Sequence, residues 1–130
     1  MLGKVKLQKN MEKVLIDANV ILRYLLRDVE EMANDAEKII KSGACTLPEV
    51  LAEVIYVLKS VYKVDKKEIC TAIFAILNEI EVEHKKNIFR AVEIFSEKNL
   101  DFVDCILIAY SEIENFKVFS FDKKLNKNLK

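Results

Sequence analysis

Two glycines and one proline in 130 residues leave this chain few places to turn sharply. Sandwiches and barrels reverse direction about every ten residues and mark the reversals with turn formers. So few breakers predict a fold dominated by helices, with a small number of short strands between them. A hydrophobic content of 52% places the chain among packed domains rather than disordered ones. Its length suits one core.

The apolar pattern supplies the order of elements. Val14-Leu15-Ile16 is a short apolar run ending at Asp17, read as a buried strand, with Asn19 as cap of a helix over residues 20–26. Residues 30–41 are amphipathic, and Gly43 suits the stop of that helix. Residues 44–47 form a second strand. Thr46 and Glu49 have capping-box spacing before a helix that reaches about Tyr62, and Pro48 is tolerated in its first turn. Ile55 and Tyr56 fall off the core stripe of that helix, a pattern that marks an interface. Asp65 and Glu68 open a helix over residues 65–77, followed by a brief strand at 80–83 and helices at 88–95 and 101–113. Residues 118–121 read as a last strand. The alternation predicts one α/β domain over residues 11–130 with a mostly parallel sheet. Residues 1–10 are expected to be an extension, disordered or foreign to the native chain.

Several chemistries are poorly supported. Lys plus Arg and Asp plus Glu both number 21, so no global field draws the protein to an anionic partner. Cys45, Cys70 and Cys105 lack metal-ligand spacing and His84 is the sole histidine, which argues against zinc and against Ser-His or Cys-His catalysis. Each thiol is expected to be buried and reduced, which suits the cytoplasm. No apolar run approaches the roughly 20 residues of a membrane span.

The acids are more informative. Ligands in open α/β sheets gather beyond the carboxyl ends of strands. Asp17 ends the first strand pattern and Asp122 the last, although each would equally serve as a loop start or helix cap. Asp104 is harder to set aside, because nine of the twelve residues from Phe102 to Ile113 are apolar. A carboxylate on such a helix needs a donor, a cation or a proton. Asp101 has an ordinary use as N-cap. Glu53 is not singled out by periodicity; it lies on the polar border of its helix.

Taken together, four blocks resemble the PIN domain family. They are Val14-Leu15-Ile16-Asp17-Ala18-Asn19, Leu51-Ala52-Glu53-Val54, Leu100-Asp101-Phe102-Val103-Asp104-Cys105 and Phe119-Ser120-Phe121-Asp122-Lys123, in the family's order. The most similar subgroup is the VapC-like ribonuclease toxins of type II toxin-antitoxin pairs. The resemblance implies a three-layer α/β/α fold whose mostly parallel sheet has four strands, with a fifth short or absent. It implies an endoribonuclease in which Asp17, Glu53, Asp104 and Asp122 bind one or two Mg²⁺ or Mn²⁺ ions, supported by Asn19, Asp101 and Ser120. Ala18 and Ser120 stand where many relatives carry Thr, so a hydrogen bond near the site is altered or missing.

Further expectations attach to that reading. Arg23, Arg27, Lys123 and Lys124 are candidates for gripping the RNA backbone, each also explicable as part of a solvated charged face. A homodimer and a cognate antitoxin are the expected partners, with no membrane. The alternatives are an RNA-processing PIN nuclease without an antitoxin and an inactive PIN-like module that only binds protein. Receiver and haloacid-dehalogenase-type phosphatase folds also place Asp after their first strand. Receivers want an adjoining acid, and those phosphatases usually have a second Asp where this chain has Asn19.

Overall fold

The computed structural model describes residues 13–129. The N-terminal extension expected over residues 1–10 lies outside them. The elements run β1 (Val14–Leu15), α1 (Ala18–Leu26), α2 (Glu30–Gly43), β2 (Ala44–Thr46), α3 (Pro48–Ser60), α4 (Lys66–Leu77), β3 (Glu81–Val82), α5 (Lys85–Glu97), α6 (Phe102–Glu114) and α7 (Lys123–Lys127). Among the described residues the sheet has three strands in the order β1-β2-β3, all parallel. Leu15 pairs with Cys45, and Cys45 with Glu81.

The α/β class and the parallel sheet agree with the sequence pattern; the number of strands does not. Residues 118–121 form no strand among the described residues, and Phe119 and Phe121 are 81% and 91% exposed. Local polar groups are engaged there instead. The Asp122 N–H donates to Ser120 Oγ at 3.0 Å, and Asn126 Nδ2 donates to the Ser120 carbonyl at 2.9 Å. Those bonds turn the chain into α7 rather than along a strand.

Among the described residues β1 pairs with β2 alone. Ile16 is buried, but Val14 and Leu15 are exposed, so β1 is not the buried strand that its apolar run suggests. Its one paired edge is held to β2 by the Ile16 N–H, which donates to the Cys45 carbonyl, and by Thr46 Oγ1, which donates to the Ile16 carbonyl at 2.8 Å. Thr46 is buried, and its hydroxyl reaches across the sheet rather than capping α3. Leu47 takes the cap position of α3 with no side-chain bond, and Pro48 follows as the first helical residue.

The core lies where the helices meet one another and the sheet. Leu51 and Val54 of α3, Ile69, Ile73 and Ile76 of α4, and Ile88 and Val92 of α5 are fully buried. Ile55 is buried as well, contrary to the expectation that it lies off the stripe; its neighbour Tyr56 is the exposed one. The helices α5 and α6 are antiparallel. Phe95 near the end of α5 meets Phe102 at the start of α6, and His84 before α5 meets Tyr110 late in α6. Among the described residues no helix is long and apolar enough to cross a membrane.

Candidate metal centre

Asp17 leaves β1 and caps α1, its Oδ1 accepting from the Val20 N–H at 3.1 Å. The cap is Asp17 rather than Asn19, because α1 begins at Ala18, directly after Asp17. Asn19 sits inside the first turn, exposed. Asp122 repeats the arrangement at the other end of the chain, its Oδ1 accepting from the Leu125 N–H at 2.9 Å. In both residues the capping oxygen is Oδ1, and Oδ2 accepts no hydrogen bond among the described residues.

Asp104 differs from both. It lies in the first turn of α6, half-buried, and makes no hydrogen bond or ion pair among the described residues. Burial raises its carboxyl above the ordinary value, and the charges of Asp101 and then Asp122 add to the rise. Asp101 stands at the N-cap position of α6 without forming a cap hydrogen bond, so its charge is not spent on the helix. The three aspartates therefore form an electrostatic neighbourhood of one sign. Asp101 and Asp104 also line a groove of about 470 Å³ together with Ala52, Ile55, Tyr56, Lys59 and residues of α6. Glu53, next to Ala52, is exposed on α3.

Asp17 and Asn19 open onto a separate groove of about 420 Å³, between β1 and α2, which also holds Asp35 and Arg23. Asp35 carries no sequence signal, since it is one polar residue on an amphipathic helix. Among the described residues no three His, Cys, Asp or Glu side chains stand together closely enough to hold a metal ion. The donor set nevertheless suits a hard divalent cation. Mg²⁺ keeps several waters and takes one or two carboxylates directly, and a half-buried carboxyl raised by two like charges is stabilised by a cation.

The basic candidates divide sharply. Arg23 Nη1 donates to Asp28 at 2.9 Å and Nη2 to the Tyr62 hydroxyl at 3.0 Å, while its Nε is buried with no partner among the described residues. Arg27 donates to Glu37 at 3.0 Å and to Asn34 at 2.7 Å. Arg23 thus ties α1 to Tyr62, a contact 39 residues away that left no sequence signal, while Arg27 ties the end of α1 to Asn34 and Glu37 of α2. Lys123 and Lys124 are exposed and make no ion pair among the described residues. Cys70 and Cys105 are buried, and burial raises the thiol of the first and pushes that of the second up to about 12. Cys45 is only half-buried.

Comparison with known proteins gives a consistent frame. The family model described as PIN domain matches residues 14–128. The chain is 28% identical to the VapC ribonuclease of Aquifex aeolicus (strain VF5) over 121 residues, which cover 87% of this chain and 90% of that protein. No solved structure matches the chain.

Proposed function

This chain belongs to the PIN domain family, and from that premise we propose that it is a metal-dependent endoribonuclease of the VapC kind. The observation that carries the proposal is the setting of Asp104: a half-buried carboxylate, without a donor among the described residues, beside Asp101 and Asp122. An acid so placed costs stability unless a cation joins it. A phosphodiester bridged by a bound cation is the substrate class that a protein of zero net charge could still hold.

Asp104, Asp122 and Asp17 would hold Mg²⁺ or Mn²⁺, with Glu53 as a further ligand or as the group that orients a water. Such an ion, when bound, neutralises the phosphate and lowers the pKa of a coordinated water. The chain's own residues have separate tasks. Asp17 and Asp122 are held at their helix starts by one oxygen and keep the other for the site. Ser120 fixes the Asp122 backbone, and Lys123 and Lys124 supply positive charge beside it.

The similarity to a VapC ribonuclease extends the proposal to the toxin of a type II pair acting on cytoplasmic RNA. Such a toxin would be a homodimer, with the exposed Tyr56 of α3 at its interface and the groove that holds Asp104 left open to RNA. The inactive-module alternative draws on the lack, among the described residues, of a three-acid group. Incubating the purified chain with labelled RNA, with Mg²⁺ or Mn²⁺ and with chelator, decides between them. Metal-dependent cutting that Asp104→Asn and Asp17→Asn both abolish is the expected result. Cutting undiminished in both variants, with unchanged circular dichroism, would overturn the site; no cutting with either metal would favour the binding module.

A further inference from the structure

The groove that holds Asp104 also holds a cation. Ala52, Ile55 and Lys59 are spaced i, i+3 and i+7, so they form one stripe along α3. All three line the groove, together with Asp101 and Asp104 at the start of α6. The stripe rises about 10 Å from Ala52 to Lys59. Among the described residues that line this groove, Lys59 alone carries positive charge.

Lys59 stands in the last turn of α3 and is exposed. Its Nζ lies 5.8 Å from the ring centroid of Phe95, a buried residue that lines the same groove. A cation–π contact fades beyond about 6 Å, so the ring holds this ammonium only weakly. Lys66 has the closer position, its Nζ 4.6 Å from the same centroid and donating to the Lys98 carbonyl at 2.8 Å. Lys66 is therefore engaged, whereas Lys59 makes no ion pair or hydrogen bond among the described residues. Arg23, Arg27 and Arg90 each meet a carboxylate instead.

The acids of the groove are just as uncommitted. Neither Asp101 nor Asp104 is ion-paired among the described residues, and the charges that act on Asp104 are those of Asp101 and Asp122, both of its own sign. A free ammonium and free carboxylates thus share one groove of about 470 Å³ without meeting. A ligand that joins them offers negative charge to Lys59 and a cation to Asp104. A phosphodiester that carries a divalent ion does both.

We propose that Lys59 is a substrate-positioning residue that binds a backbone phosphate of RNA in the Asp104 groove. The proposal takes its substrate from the ribonuclease reading and deepens it. An ammonium is a point charge that reads no base, so the contact adds affinity without sequence preference.

The test is fluorescence anisotropy of a labelled single-stranded RNA of about 12 nucleotides, in chelator, across a salt series. The full chain is compared with Lys59→Met, which keeps an apolar stem, and with Lys59→Arg, which keeps the charge. Lys59→Met should flatten the slope of log affinity against log salt by about 0.7, the share of one phosphate in a single strand. It should also weaken binding about threefold or more at low salt. Lys59→Arg should keep both. In Mg²⁺-dependent cleavage Lys59→Met should raise KM at unchanged kcat, because the contact is made equally in ground and transition states.

An unchanged slope in Lys59→Met, whatever its affinity, would overturn the proposal and leave Lys59 as a helix-end charge beside Phe95. Equal losses in Lys59→Met and Lys59→Arg would overturn it too, and so would a wild type that binds no RNA. The ribonuclease reading is judged separately. A wild type that cuts RNA and loses cutting on Asp104→Asn keeps that reading whatever the slopes show. A wild type that binds RNA through Lys59 but never cuts keeps the phosphate contact and defeats the nuclease.

Discussion

Asp17 and Asp104 carry the same side chain in opposite settings. Asp17 is exposed and useful to the fold, since one of its oxygens closes the first turn of α1. Asp104 is half-buried on an apolar helix, holds no donor among the described residues and suffers the charges of Asp101 and Asp122. A carboxylate that serves the fold needs no further reason to be there, whereas one that opposes it does. Residues of the second kind are stronger pointers to chemistry.

The largest effect should come from Asp104. Asp104→Asn is expected to lower metal-dependent RNA cleavage by about a hundredfold or more, as loss of a metal-ordering group does. The metal-free variant should melt at the wild-type temperature or above it, and the rise that millimolar Mg²⁺ gives the wild type should shrink. A destabilised variant beside a wild type indifferent to Mg²⁺ would show that Asp104 satisfies a buried partner after all.

Thr46 provides a structural reference for that comparison. Thr46→Val removes a buried hydroxyl and strands the Ile16 carbonyl, which should cost about 1–3 kcal/mol in denaturant unfolding. Its effect on cleavage per folded molecule should be small. A Thr46→Val protein of wild-type stability would mean that water replaces the hydroxyl.

Asp17 should split into two effects of different size. Asn caps helices about as well as Asp, while Ala does not, and the difference is about 1 kcal/mol. Asp17→Asn should therefore lose cleavage at unchanged stability, and Asp17→Ala should lose both. Equal stabilities for the two variants would remove the capping role from the comparison.

The smallest effect is the pH dependence of Asp104. Its folded carboxyl is raised, so the folded state binds that proton more tightly than the unfolded chain does. Stability from this group is present below the ordinary carboxylate value and is lost as pH rises through the raised one. Urea midpoints of wild type and Asp104→Asn, measured without metal across that window, should diverge as pH rises, the wild type falling further. Parallel curves would place Asp104 in an ordinary solvated setting.

Much of this arrangement is legible in the residues, and the failures have a common cause. The elements from β1 through α6 follow from apolar spacing, and Asp104 stands out because its helix is apolar nearly all round. Periodicity reports what a segment offers, not what it finds. Residues 118–121 offer a strand's pattern, but the backbone there is claimed by Ser120, Asp122 and Asn126. Thr46 has capping-box spacing, but its hydroxyl finds the Ile16 carbonyl 30 residues away. Arg23 resembles a free phosphate contact until Asp28 and Tyr62 are placed around it. Glu53 shows the converse: no local pattern marks it, and only the family blocks do.

The bare flank of β1 bears on how such a protein survives at high concentration. Among the described residues β1 pairs with β2 alone, so its other flank, beside exposed Val14 and Leu15, is a growth point onto which another extended chain can add. Val14 and Leu15 make a very short template, too short for the six or seven residues that a stable fibril contact needs. Brevity here acts as protection: the same shortness that gives the sheet little height keeps its open side from seeding an aggregate.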